Sequence, residues 1–338
     1  MLDLQTLKKY DAQRMYQVYD KWPEMAKESY ELNLDEIGYI GMDHVIFAGM
    51  GGSGAIGDIF SAILSKTNLH VSIVKGYHLP KNVNSNTLVV ATSISGNTIE
   101  TLSVLDSAVK TNCKVIAFSS GGKLENYCYK NNVEFRRIPQ IHSPRSSFTA
   151  FLYSMIKVLY PVILIKEEEV KESLRLLREC RDKIFSSNLN EENPSLKLAE
   201  WITGIPLIYY PWGLQAAAIR FKNSLQENAK KHSIAEDVIE ACHNGIVAWE
   251  KISEVQPILI RGKDDYIKTK ERWGIIKKIF EEKKIDYREV PSVNGSILSK
   301  LINLIYLLDY TTIYRAVLSK IDPSPIRSID FIKENLSN

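Results

Sequence analysis

From Asp43 onward, short apolar runs alternate with segments of helical spacing. The runs HVIFAGM (44–50), VSIVKG (71–76), TLVVATS (87–93) and KVIAFSS (114–120) each end in polar or turn residues, as buried strands of a parallel sheet do. A Gly-rich turn and a helical pattern reaching about Ser65 follow the first run. Ile99, Leu102, Leu105 and Val109 recur at helical spacing between the last two. Strand–helix–strand repeats of this kind predict a doubly wound parallel sheet. Between 155 and 195 the chain becomes charged, and IKEEEVKESLRLLRECRDKIFSS keeps one apolar face through Val170, Leu174, Leu177 and Cys180 or Ile184, which predicts a connecting helix. The alternation restarts with IPLIYYPWG (205–213), a helical stretch through Lys231, QPILIRG (256–262), KERWGIIKKIFEEKK (270–284) and an apolar helix from Ser296 to Leu318. The expected organisation is two α/β domains, 1–153 and 196–338, joined by a helical segment at 154–195. No exact repeat relates the two halves.

Composition narrows the partners. The 338 residues are 45% hydrophobic and 25% charged, an ordinary globular balance. The formal charge of +3 is too even for a nucleic-acid surface, which needs a clustered basic face, so small neutral or anionic ligands are expected. Four dispersed cysteines, Cys113, Cys128, Cys180 and Cys242, form no C-x-x-C pair and read as structural thiols in a reducing compartment. The first 20 residues lack a signal-peptide core and no run reaches 18 uninterrupted apolar residues, so a cytoplasmic protein without a membrane span is expected.

The first Gly-rich turn reads GMGGSG (49–54), a literal G-x-G-x-x-G. A dinucleotide site also needs an acidic residue about 20 positions on, at the end of the next strand. Lys75 and Gly76 stand there instead, which argues against NAD, although a lysine could meet the extra phosphate of NADP. The turn after the third run carries Thr92, Ser93, Ser95 and Thr98 just before a helix. Hydroxyls and exposed amides at a helix N-terminus suit a phosphate monoester. Asn97 and Glu100 have the spacing of a capping pair.

The segment SISGNTIET (93–101), preceded by the GMGGSG loop, resembles the sugar isomerase domain, whose serine-rich turn binds phosphosugars. SSGGKL (119–124), SPRSSF (143–148), QENAK (226–230), HN (243–244) and DPSPIRSIDFIK (322–333) follow in an order similar to that of the bifunctional phosphoglucose/phosphomannose isomerases of archaea and some bacteria. The resemblance implies two doubly wound sugar isomerase domains with flavodoxin-like αβα layers. It also implies an aldose–ketose isomerase of hexose 6-phosphates that uses neither metal nor cofactor. Zinc-dependent mannose isomerases need clustered His and acid ligands, and the chain contains no H-x-H or H-E-x-x-H.

Moving a proton between C2 and C1 through an enediolate needs a base, a cation near the oxyanion and a group that opens the sugar ring. From its residue type alone Glu227 reads as a surface charge. The resemblance makes it the base, with Arg145 as the cation, His243 for ring opening and Lys333 reaching the sugar. Gly52, Ser53, Ser93, Ser95 and Thr98 are expected to hold phosphate and sugar. Gly245 replaces the acidic residue that usually follows HN in the family, and the role of Ser324 stays open. The resemblance further implies a homodimer with shared active sites, in which His243 enters the partner's site while Glu227 serves its own chain's phosphate loop.

The sequence gives less support to two other functions. A phosphosugar sensor would carry a basic helix-turn-helix, whereas the 40 residues before the first strand, including WPEMAKESYELNLDE, are acidic. The isomerase half of an amidotransferase would bring a glutaminase domain with a nucleophilic N-terminal cysteine, which this chain lacks.

Overall fold

The nine strands form two separate parallel sheets, described by a computed structural model over residues 2–251 and 253–336. In the first, β1 (His44–Ala48), β2 (His70–Val74), β3 (Thr87–Ser93), β4 (Lys114–Ser119) and β5 (Glu134–Arg137) lie in the order β2-β1-β3-β4-β5. In the second, β6 (Ile205–Tyr210), β7 (Ile234–Asp237), β8 (Val255–Arg261) and β9 (Arg288–Pro291) lie in the order β7-β6-β8-β9. All pairings are parallel. The first order is flavodoxin-like, and the second repeats it with one strand fewer.

All residues of β1 and β3 are buried, which is why both stand out in the sequence as continuous apolar runs. Three strands are not apparent from the apolar pattern: β5 (EFRR), β7 (IAED) and β9 (REVP). Each is an edge strand of four residues carrying charges, as exposed sheet edges commonly do. His70, which reads as a loop residue in the sequence, instead opens β2 beside His44 of β1.

In both sheets the chain moves outward from the first strand to one edge and then returns to the other side. In the first sheet the loops leaving β1 and β3 therefore diverge, opening a crevice at the carboxyl ends of the strands. One contiguous apolar core holds residues of both sheets, such as Val45 and Ile258.

The helix Glu167–Ile184 lies where the charged segment predicts it. Glu169 caps its start through the amide of Lys166, and Val170, Leu177, Cys180 and Ile184 are buried. It packs against Ile297–Leu318, a helix long and apolar enough by length and composition to cross a membrane, but whose most apolar window is 83% buried inside the fold. That helix is a core element. On it, Asp309 forms a fully buried ion pair with Arg220 and also accepts hydrogen bonds from Tyr19 and Ser224. The Arg220 guanidinium lies 3.8 Å over the Phe148 ring and donates to the carbonyl of Arg145 at 2.9 Å, so the buried network ends at the crevice.

Candidate active site

Two loops at the carboxyl ends of β1 and β3 form one side of a cavity of about 470 Å³. After β1 the chain turns at Gly49 into the helix Gly51–Leu64, which starts without a side-chain cap, so its first amides are left for a ligand. Gly49 and Gly54 are required sterically. A Cβ on Gly49 would lie 2.9 Å from the Thr92 carbonyl, and one on Gly54 would lie 2.7 Å from the Gly49 carbonyl. Gly52 and Ser53 line the cavity, and the Ser53 hydroxyl also accepts from the Ile94 amide at 3.2 Å, pinning the two loops together.

The serine turn after β3 divides its hydroxyls between two tasks. Ser95 and Thr98 line the cavity. Ser93 does not: it is buried beneath the turn and donates to the Thr98 hydroxyl at 2.9 Å, fixing that side chain from below. The capping pair expected of Asn97 and Glu100 is absent. The helix Ile99–Val109 begins after Thr98 with no side-chain cap. The Asn97 amide instead donates to the Ser95 carbonyl and accepts from the Lys123 amide, while Glu100 accepts from Tyr77. The SSGGKL segment wraps this turn so tightly that a Cβ on Gly96 would fall 1.7 Å from the Gly121 carbonyl. Two uncapped helix starts thus face one cavity, an arrangement suited to an anion. Lys75 is paired with Asp58 at 2.6 Å.

Arg145 and Glu227 face each other across the cavity. Arg145 sits in the turn before the helix Phe148–Val158 and is 6% exposed. Glu227 is the penultimate residue of the helix Gln215–Asn228. Arg145 Nη1 and Glu227 Oε2 are 3.6 Å apart. The DPSP segment explains itself here: Asp322 accepts from the Ser324 amide, and the turn so formed aims the Pro323 and Ser324 carbonyls at Arg145 Nη2, at 2.7 and 2.8 Å. Lys230 Nζ ties the same turn to the helix end, donating to the carbonyls of Glu227 and Pro323, and its burial lowers its pKa. Ser324 Oγ is buried and has no hydrogen-bond partner among the described residues. Lys333 lines the cavity from the helix Arg327–Asn335, whose Ile329 and Ile332 wall one side although none of its residues is buried.

His243 stands apart. It is exposed, just beyond the short helix Val238–Ala241 that follows β7, and it does not line the cavity. Gly245 beside it has a physical reason, because a Cβ there would come within 2.7 Å of both carboxylate oxygens of Glu236. Burial, followed by the neighbouring Glu240 and Asp237, raises the pKa of Glu236. A second cavity of about 750 Å³ borders the opposite side of Glu227 and includes His232 of the same chain.

Comparison with known proteins accords with this geometry. Residues 39–156 match the SIS domain, and residues 191–336 match the bacterial phospho-glucose isomerase C-terminal SIS domain. A bifunctional phosphoglucose/phosphomannose isomerase of Thermoplasma acidophilum is 31% identical over 297 residues, which cover 87% of this chain and 90% of that protein. One of Caldicellulosiruptor bescii is 28% identical over 336 residues, covering 96% and 99%. This chain belongs to the bifunctional phosphoglucose/phosphomannose isomerase family. Among solved structures, a hypothetical protein from Thermus thermophilus superimposes with a TM-score of 0.75 at 13% identity over 98% of this chain and 92% of that one. The C-terminal domain of glucosamine-fructose-6-phosphate aminotransferase from Francisella tularensis does so with 0.67 at 14%, over 90% and 96%. At such identities they share the fold alone. Family membership makes the chain an isomerase, and SISGNTIET, QENAK and DPSPIRSIDFIK, dispersed in sequence, all contribute to the one cavity.

Asn228, Pro323 and Lys230 also belong to the site, although their residue types alone assign them no role in it. Asn228 and Lys230 lie inside the quoted QENAK segment, so the motif was the available signal.

Proposed function

We propose that this protein interconverts glucose 6-phosphate and fructose 6-phosphate, and also mannose 6-phosphate, by proton transfer through an enediolate. The observation that carries the reading is the carboxylate–guanidinium pair, Glu227 and Arg145, facing each other in the cavity that two uncapped helix starts also face. The phosphate is bound by the amides around Gly52 and Ser53 and by the hydroxyls of Ser95 and Thr98. The open-chain sugar then extends toward Glu227 and Arg145.

Glu227 takes the proton from C2 and returns it to C1, and the Arg145 Nη1 edge stabilises the oxyanion that forms meanwhile. Glucose and mannose 6-phosphates differ only in configuration at C2, so removing that proton from either gives an enediolate at the same two carbons. The C2 protons of the two epimers lie on opposite faces, so one base serves both substrates when rotation about C2–C3 turns the other face of C2 toward it, and the chemistry requires no cofactor. Lys333 contacts the sugar from the cavity wall. The same reaction serves glycolysis and gluconeogenesis, in keeping with a cytoplasmic enzyme.

Ring opening is assigned to His243 of a second copy in a two-fold dimer. Its exposure, outside its own chain's cavity, supports that assignment. A closed two-fold dimer repeats one set of contacts twice and so makes both sites composite.

Coupled assays with each purified hexose 6-phosphate, with and without EDTA, test the proposal. Turnover of glucose, fructose and mannose 6-phosphates unaffected by the chelator is the expected result. Inactivity toward all three overturns it.

A further inference from the structure

An arginine side chain offers five N–H donors. In Arg145, Nε donates to Asn228 Oδ1 at 2.7 Å, and the two N–H groups of Nη2 go to the carbonyls of Pro323 and Ser324. All three acceptors are neutral. Among the described residues the carboxylate near the guanidinium is Glu227, at 3.6 Å from Nη1, beyond hydrogen-bonding reach. The plane of the cation is thus locked on one edge by neutral acceptors, with Glu227 the carboxylate at ion-pair distance among the described residues, and Nη1 is left without a hydrogen-bonded acceptor beside the cavity.

Asn228 makes this possible. It is fully buried, and its amide cannot turn over freely, because Nδ2 donates to Thr312 Oγ1 at 2.8 Å while the Thr312 hydroxyl donates to the Asp309 carbonyl at 2.7 Å. The amide oxygen is therefore the atom presented to Arg145. A carboxylate at this position would hold the guanidinium equally well, yet it would cancel the charge that an oxyanion needs. An apolar residue would leave Nε without its acceptor and the guanidinium held by the two Nη2 bonds alone. One helix end delivers Glu227 and the residue that orients its counterpart cation in consecutive positions.

We infer that Asn228 is a positioning residue for the isomerisation: it fixes Arg145 through a neutral acceptor, so that the guanidinium is oriented toward the enediolate without a second carboxylate drawing on its charge. The inference rests on the reading of Arg145 as the cation of the reaction. Nothing in the apolar pattern or the spacing of the sequence indicates it, because the two residues are 83 positions apart.

The test is a double-mutant cycle on the full-length protein, with kcat and KM measured for fructose 6-phosphate. Asn228→Asp keeps the acceptor and adds one negative charge. Its kcat is expected to fall about a hundredfold, the scale of losing one oxyanion donor, with KM changed less than about threefold. In an Arg145→Ala background the same substitution is expected to cost less than about threefold more, since the cation through which it acts is gone. Wild-type kcat in Asn228→Asp overturns the inference, as does a hundredfold loss that persists without Arg145. Should the buried charge prevent folding, as read by thermal unfolding, Thr312→Val removes the acceptor that orients the amide. It is expected to lower kcat about tenfold at unchanged KM, again only when Arg145 is present. Wild-type kcat in Thr312→Val then overturns the inference. An Arg145→Ala enzyme of full activity overturns the reading of Arg145 itself, and that failure is visible before any Asn228 variant is made.

Discussion

Glu227 Oε2 stands 3.6 Å from Arg145 Nη1, close enough for the charges to interact and too far for a hydrogen bond. Both groups therefore keep capacity for a substrate. Arg145→Lys retains the charge but cannot reproduce a fork that meets Asn228, Pro323 and Ser324 together. Steady-state kinetics of this variant are expected to show kcat reduced by about two orders of magnitude, with inhibition by 6-phosphogluconate little changed.

The serine turn divides binding from support. Replacing Ser95 and Thr98 together with Ala removes two donors at the cavity and should raise KM strongly, each donor to a charged ligand being worth about 1.5–3 kcal/mol. Ser93→Ala leaves both donors in place and only loosens Thr98, so its KM should rise far less. Equal effects in the two variants would place Ser93 in direct contact with the ligand.

These outcomes bear on what the sequence makes legible. The interior strands β1, β3, β4, β6 and β8 announce themselves because burial on both faces leaves only apolar choices over most of their length. The edge strands β5, β7 and β9 carry charges that solvent accommodates, so no apolar run marks them. Asn97 illustrates a local rule losing to a tertiary partner: its spacing to Glu100 fits a cap, but the Lys123 amide takes its side-chain oxygen. Asn228 and Pro323 lie inside QENAK and DPSPIRSIDFIK, but their contacts with Arg145, like the Arg220–Asp309 pair, join residues more than 80 positions apart and leave no mark in the apolar pattern.

Stability has a pH-dependent element at the start of the core helix. Glu172 accepts from the Ser296 amide and the Ser299 hydroxyl, and the amide bond leads in lowering its pKa. Gly295 permits this approach, for a Cβ there would lie 2.6 Å from that carboxylate. With the folded pKa depressed, the unfolded chain binds more protons in the window between the two values. The stabilisation is thus complete above the ordinary carboxylate value and lost as pH falls through the folded one. Glu172→Gln should cost about 1 kcal/mol near neutral pH, and its difference from wild type should shrink in acid, as followed by urea unfolding at several pH values. A constant difference across pH would mean that the charge is not what Ser296 and Ser299 read.

The proposed sharing of His243 between two copies predicts complementation. His243→Ala and Glu227→Gln homodimers should each be nearly inactive. Co-refolding equal amounts should make about half of the dimers mixed, each with one intact and one doubly defective site, restoring roughly a quarter of wild-type activity. Sugars also open spontaneously, so residual activity of the His243→Ala parent is subtracted. No recovery in mixtures shown by mass spectrometry to contain heterodimers would put both groups in one chain's site, and would turn attention to His232, which borders Glu227 from the second cavity.

Solvent-tritium incorporation at C2 of recovered glucose 6-phosphate is the measurement that bears most directly on Glu227 as the proton carrier. Glu227→Gln preserves shape and hydrogen bonding while removing basicity. Exchange and turnover are expected to fall in parallel by roughly two to four orders of magnitude, while 6-phosphogluconate still binds. Exchange at the wild-type rate in that variant would contradict this role for Glu227, because some other group would then be moving the proton.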